Sequence, residues 1–143
     1  MATISLLELV KLSEGYRAHA YWDATGHVWT VGFGETLGVT RNTVMSYPEA
    51  LARLSKRLDE FQSGVRALLR THIPTQNQLD AMTSLAYNIG LGAFAKSSIY
   101  LYFCAGRLSE AANAFRLYRK SGGKVLPGLV TRRERERTLF LKP

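Results

Sequence analysis

Eleven carboxylates are spread along the chain. Glu49, Asp59, Glu60, Glu110, Glu134 and Glu136 fall on polar helix faces or near helix starts, where bland roles suffice. Two others are placed differently. Glu14 ends a short apolar segment directly before Gly15, and Asp23 closes the strand-forming run Tyr21-Trp22-Asp23 before a turn. Two carboxyls near a hydroxyl, without a reactive cysteine, suit glycoside hydrolysis. One protonated carboxyl gives its proton to the leaving oxygen, while the other carboxylate activates water or stabilises the positive charge growing on the sugar. Such a pair needs unlike surroundings, one apolar and one wet. Read without further context, the same two residues are also an ordinary helix end and an ordinary turn.

The elements that must hold them are an N-terminal helix and a β-hairpin. Residues 3–13 carry Ile4, Leu7, Val10 and Leu12 as an apolar stripe, with Ser5 and Glu8 at capping-box spacing. Tyr21, Trp22 and the run Val28–Phe33 favour strand, and Asp23-Ala24-Thr25-Gly26 is turn chemistry between them. A turn centred on Thr25-Gly26 sets Asp23 opposite Val28 and Tyr21 opposite Thr30. Period-two alternation then puts Tyr21, Asp23, Val28 and Thr30 on one face, with Trp22 and Trp29 on the other.

Beyond the hairpin the period changes. Ser46-Tyr47-Pro48-Glu49 supplies a helix start, and Leu51, Leu54, Leu58, Phe61, Val65 and Leu68 recur three and four apart. The spacing predicts a helix over 47–70, about 36 Å long, able to link two lobes. Thr75 and Gln78 form a second capping box before a buried helix over 76–90, and shorter helices follow over 98–105, 109–118 and 129–141. The fold class is α+β: one domain over 1–143, with an N-terminal lobe at 12–50, the linking helix, and a helical lobe over 71–143 joined by the first helix.

Composition narrows the function. Of 143 residues 46% are apolar, which supports a packed core rather than disorder. The single cysteine, Cys104, excludes a disulfide framework and a cysteine-based zinc site, and reads as a small buried hydrophobe. His19, His27 and His72 are scattered, so no metal is expected. No run is long and apolar enough to span a bilayer, and the first residues lack a basic leader, so the expected site of synthesis is cytosolic. A net charge of +8 favours polyanionic partners. The densest basic run, Arg132–Arg137 with Glu134 and Glu136 interleaved, reads as a solvated helix face or as a polyanion contact. RNA-binding, zinc-finger and phosphate-loop signatures are missing, so no nucleic-acid partner is expected.

The order of these motifs is similar to a known family. Glu14-Gly15, Tyr21-Trp22-Asp23, Gly26, Trp29-Thr30-Val31-Gly32-Phe33-Gly34, Gln78–Ala81, Tyr87-Asn88-Ile89-Gly90, Gly122-Gly123-Lys124 and Arg132-Arg133…Glu136 together resemble the phage-type lysozymes, glycoside hydrolase family 24. The resemblance runs over roughly residues 5–140. It implies Glu14 as general acid, Asp23 as the carboxylate activating water, Thr30 as the residue placing that water, and Asn88 as a sugar contact, while Tyr21 and Tyr118 are further candidates for contacting the sugar. It also implies bacterial peptidoglycan as substrate, cut between N-acetylmuramic acid and N-acetylglucosamine for host lysis. No cofactor or metal is needed. A monomer is expected, without stable membrane insertion, held in the host cytoplasm until a separate pore-forming protein opens the way to the wall.

Two departures stand out. Glu35 occupies the place where relatives commonly carry His, and is expected to pair with Arg57 or Arg66, to lie exposed, or to join the cleft. Tyr118 stands where relatives carry Trp, and suits either lobe packing or sugar contact. Asn88 suits a helix end or a cleft contact. Two other function classes share the same residues: a lytic transglycosylase, which would not require Asp23 and Thr30, and a non-catalytic basic wall-binding protein. A Thr beside the Asp leaves room for an ordered water and favours inversion at the anomeric carbon.

Overall fold

A computed structural model describes residues 2–143. The first helix, α1 (Ile4–Glu14), is capped by Thr3, whose hydroxyl accepts from Leu6 N, and not by the expected Ser5. Its buried residues are Leu6, Leu9 and Val10, while Ile4 and Leu12 face solvent. The expected stripe is therefore rotated. The cause is tertiary: α1 lies against α3 (Gln76–Ile89) and α7 (Pro127–Leu141) as well as against the hairpin lobe, so two sides are covered. Gly15 ends the helix at φ 72°, a left-handed value that favours glycine.

The hairpin follows the predicted register. β1 (Arg17–Asp23) pairs antiparallel with β2 (Val28–Gly32), placing Tyr21 opposite Thr30, Trp22 opposite Trp29 and Asp23 opposite Val28. The Trp22 and Trp29 rings meet edge-on at 5.6 Å. Periodicity did not reveal that the 43–45 segment adds to this sheet, where Ala20 N donates to Thr43 O and Met45 N to Ala18 O. Gly32 holds φ 66°, and a Cβ there would lie 2.9 Å from Met45 Sδ, so the backbone can turn tightly only without a side chain.

The linking helix, α2 (Tyr47–Leu69), starts at Ser46 as expected, and its apolar face is shared by two cores. Leu54 and Leu58 belong to a cluster with Leu6, Val10, Val31, Phe33 and Met45. Val65 and Leu69 belong to a larger one with Leu79, Met82, Leu85, Phe94, Ile99, Phe103, Phe115 and Phe140. α3 has the predicted Thr75–Gln78 capping box. Short helices α4 (Leu91–Ala95), α5 (Ser98–Cys104) and α6 (Leu108–Ala114) follow, then a 3-10 turn at Phe115–Leu117. α4, which starts directly after Gly90 and contains Gly92, was not among the expected helices. A second small hairpin, β3 (Lys120–Ser121) with β4 (Lys124–Val125), fills the glycine-rich segment between the helices predicted over 109–118 and 129–141. Cys104 is half-buried at the rim of the larger core, and not fully enclosed.

Candidate active site

α1 is fixed at both ends by side chains. At its start the Thr3 hydroxyl donates to Asp80 Oδ2 at 2.6 Å. Asp80, itself buried, also accepts from Gln62 and Gln76 of α2 and α3. At its end Glu14 Oε1 accepts from Arg132 Nη1 at 2.8 Å. The Glu14 side chain is 27% exposed and that of Arg132 only 4%, so a rigid guanidinium holds a carboxyl that opens to solvent. Glu14 lines a cavity of about 320 Å3 together with Ser13, Asn88, Leu126, Gly128, Leu129 and Arg132.

Behind that wall lies a buried charge cluster. Arg132 Nε meets Glu136 Oε2 at 3.3 Å, and its Nη2 donates to the Ser84 carbonyl at 3.1 Å. Arg133 Nη2 donates to Asn88 Oδ1 at 2.9 Å and to Glu136 Oε2 at 3.2 Å. Arg133 Nε faces Glu136 Oε1 at 2.7 Å as an ion pair without hydrogen-bond alignment. The Ser84 hydroxyl donates to Glu136 Oε2 at 2.5 Å. The solvated-face reading of Arg132–Arg137 is thus corrected for three of its members: Arg132, Arg133 and Glu136 are all buried. They occupy the inward positions between Leu129 and Phe140, spaced three and four apart, and that spacing was the available signal. Burial raises the Glu136 carboxyl above its ordinary range, against the pull of the Arg133 and Arg132 guanidiniums, and burial likewise lowers the Arg133 guanidinium.

The other expected residues lie on the hairpin or deeper in the helical lobe. Asp23 Oδ1 accepts from Thr25 N at 3.0 Å and Gly26 N at 3.3 Å, so the carboxylate also builds its own turn. Thr30 is buried, and its hydroxyl makes only a long 3.4 Å bond to the Val28 carbonyl. Tyr21 sits beside Thr30 with the Arg17 guanidinium over its ring at 4.5 Å. None of Asp23, Thr30 and Tyr21 lines the Glu14 cavity. The structure gives Tyr118 a packing position: it lies against the larger core and its hydroxyl accepts from Ser98 N at 3.0 Å. Glu35 pairs with Arg57, Nε to Oε1 at 3.0 Å, and Arg57 Nη2 also donates to the Phe33 carbonyl at 3.2 Å. This is the structural pairing expected of a carboxylate in place of His. Among the described residues no group of three His, Cys, Asp or Glu could hold a metal, and no helix is long and apolar enough to cross a membrane.

Tyr87 joins the two ion-pair systems. Its ring is edge-on to Phe61 at 5.2 Å and lies under Arg57 at 5.3 Å. Burial pushes its hydroxyl up to about 12, opposed by the Arg57 charge and reinforced by Glu14 and Glu35. A raised phenol favours the neutral folded form. Its contribution is therefore complete below pH 10 and is lost as pH rises to about 12, an effect of roughly 2–3 kcal/mol. Urea unfolding at pH 9 and pH 12 is expected to show a larger stability loss for the wild type than for Tyr87→Phe; equal losses would place the alkaline sensitivity elsewhere.

Two cores on one linking helix, with a carboxyl at the end of the first helix opening into a cleft, define a lysozyme-like fold. The chain belongs to the phage lysozyme family, glycoside hydrolase family 24, whose model matches residues 11–136. It is 44% identical over 137 residues to an endolysin of Bacillus phage B103, covering 94% of this chain and 52% of that protein. To an endolysin of Salmonella phage P22 it is 38% identical over 137 residues, covering 92% of each. The muramidase domain of SpmX from Asticaccaulis excentricus superposes with a TM-score of 0.90 at 33% identity, covering 100% of this chain and 99% of that one. The chain spans about half the length of the Bacillus phage endolysins that it matches.

Proposed function

We propose that the protein is an endo-acting muramidase that hydrolyses the bond between N-acetylmuramic acid and N-acetylglucosamine in bacterial peptidoglycan, as part of host lysis. The observation that carries the reading is Glu14, held by a buried guanidinium at the mouth of a solvent-open cleft shared with Asn88. Family membership and the likeness to a muramidase domain support it. In this reading Glu14 protonates the glycosidic oxygen as the bond to the leaving sugar breaks. Asp23 takes a proton from the attacking water, and Thr30, whose hydroxyl is only weakly engaged, places that water. Arg133 takes up Asn88 Oδ1, leaving the Asn88 amide N–H groups as donors to a sugar. Tyr21 borders the same hairpin face, and inversion at the anomeric carbon is the expected outcome.

Access to the wall belongs to the same reading: the enzyme is held in the host cytoplasm as a monomer and passes through an opening made by a separate pore-forming protein. The charge of +8 suits the acidic polymers that it would meet there.

Mass spectrometry of digested peptidoglycan tests the assignment. Reducing N-acetylmuramic acid ends, absent with Glu14→Gln, are expected. Anhydro-muramyl ends would instead make the protein a transglycosylase, and no Glu14-dependent product would leave a basic wall-binding protein. Asp23→Asn separates the two uses of Asp23, because asparagine keeps an oxygen for Thr25 N and Gly26 N while losing the charge. Its kcat is expected to fall by about 10^2–10^4 with an unchanged melting temperature. Activity within threefold of wild type would remove Asp23 from the mechanism.

A further inference from the structure

Resting on the muramidase reading, we propose that Glu136 is a positioning residue for the reaction, holding through two arginines both the general acid and the sugar-contacting amide. Glu136 touches neither the cavity nor Glu14. Its carboxylate lies between two guanidiniums on its own helix, Arg132 and Arg133, which diverge. Arg132 reaches forward to Glu14 of α1, and Arg133 reaches to Asn88 of α3. Ser84 of α3 donates to the same carboxylate oxygen, Oε2, that accepts from Arg132 and Arg133, and Tyr87 of α3 lies within electrostatic reach of Glu14 and Arg132. One buried carboxylate thereby sets the place of two side chains that share the cleft wall.

The charges make the role testable. Glu14, Arg132, Arg133 and Glu136 sum to zero when Glu14 is ionised. With glutamine at 136, two arginines face one remaining carboxylate, and Arg132 has no anion except Glu14. The excess positive charge favours the ionised form of Glu14, so fewer molecules carry the proton that the reaction consumes. The brace on Asn88 loosens at the same time, because Arg133 loses its charged anchor and keeps only the Tyr118 carbonyl at 3.3 Å beside Asn88. A carboxylate that served only core stability would alter the folded fraction and leave both properties of the folded molecules as they were.

The full chain with Glu136→Gln, and separately with Ser84→Ala, is compared with wild type in two ways. The first is kcat and KM on peptidoglycan from pH 4 to pH 9, normalised to folded protein by circular dichroism. The second is carboxyl 13C NMR titration, with the Glu14 signal assigned through Glu14→Gln. For Glu136→Gln the basic limb of the kcat profile and the Glu14 titration are expected to move together toward acid by about one pH unit. KM is expected to rise several-fold. Ser84→Ala, which removes the hydroxyl's bond to Glu136 and its long 3.4 Å bond from Arg132 but no charge, should move both in the same direction by less, and it decides the matter if Glu136→Gln fails to fold. Unmoved profiles and titrations in the folded variants would overturn the proposal. If the wild type itself shows no Glu14-dependent hydrolysis, the muramidase reading falls, while the NMR titration still decides whether Glu136 controls Glu14.

Discussion

Glu14→Gln is expected to fold as the wild type does and to lose about 10^3 in kcat on peptidoglycan, since a general acid contributes roughly 10^2–10^4. Glutamine keeps the length of the side chain and an oxygen for Arg132 Nη1, so the clamp at 2.8 Å has an acceptor in both forms. What it lacks is a proton that can be given up. Arg132 also retains Glu136 and the Ser84 carbonyl, so no buried guanidinium is orphaned. Melting temperature should therefore stay within a few degrees while turbidity clearance of cell walls collapses. A variant that clears walls at one-tenth of the wild-type rate or better would show that the proton comes from elsewhere, with Glu35 as the next candidate, 12% exposed and paired to Arg57.

The largest stability effect is expected at Arg133. Its side chain is 1% exposed and serves Glu136, Asn88 and the Tyr118 carbonyl at once. Arg133→Met leaves Glu136 with one guanidinium in place of two and strips donors from two acceptors. Removing one partner of a buried ion pair costs about 3–5 kcal/mol, because the surviving charge stays desolvated. For a chain of this size that corresponds to a fall of roughly 10–15 °C in Tm. Adding Glu136→Leu removes the stranded carboxylate and should restore more than half of the loss, since apolar replacement of a buried pair is often neutral. Thermal unfolding of both variants checks this. A single variant that melts within 3 °C of wild type would mean that water reaches the cluster and that the cost of burial has been overstated.

The contrast between these two sites explains what could be read from the sequence. The places of Glu14 and Asp23 at the ends of α1 and β1 were legible, because such boundaries are set locally by Gly15, by strand formers and by turn residues. The hairpin register followed from alternation and turn position, and α2 from a long, regular apolar period. Arg132, Arg133 and Glu136 were not legible in this way. Alternating charges suggest a solvated face, and only the partners brought by α1 and α3 turn that face inward. The rotated stripe of α1 has the same origin: Leu6 and Leu9 are selected by what packs on them, while Ile4 and Leu12 are equally apolar and remain outside. α4 and the β3–β4 hairpin were not anticipated, because the glycines at 90, 92, 122 and 123 carry little local preference for helix or strand.

The bond between Glu14 and Arg132 spans 118 positions of sequence, almost the whole length of the chain. The helix that carries Glu14 is made before the helix that clamps it. At about 5–20 residues per second, the first helix waits several seconds for its counter-ion. Until α7 docks, the cleft lacks its Arg132 wall and Glu14 has no fixed direction. Contacts of such long range are also the slow ones to form. A chain built in this order completes the Glu14 cleft only after α7 has been made, and any premature stop before Pro127 yields a product that lacks Arg132.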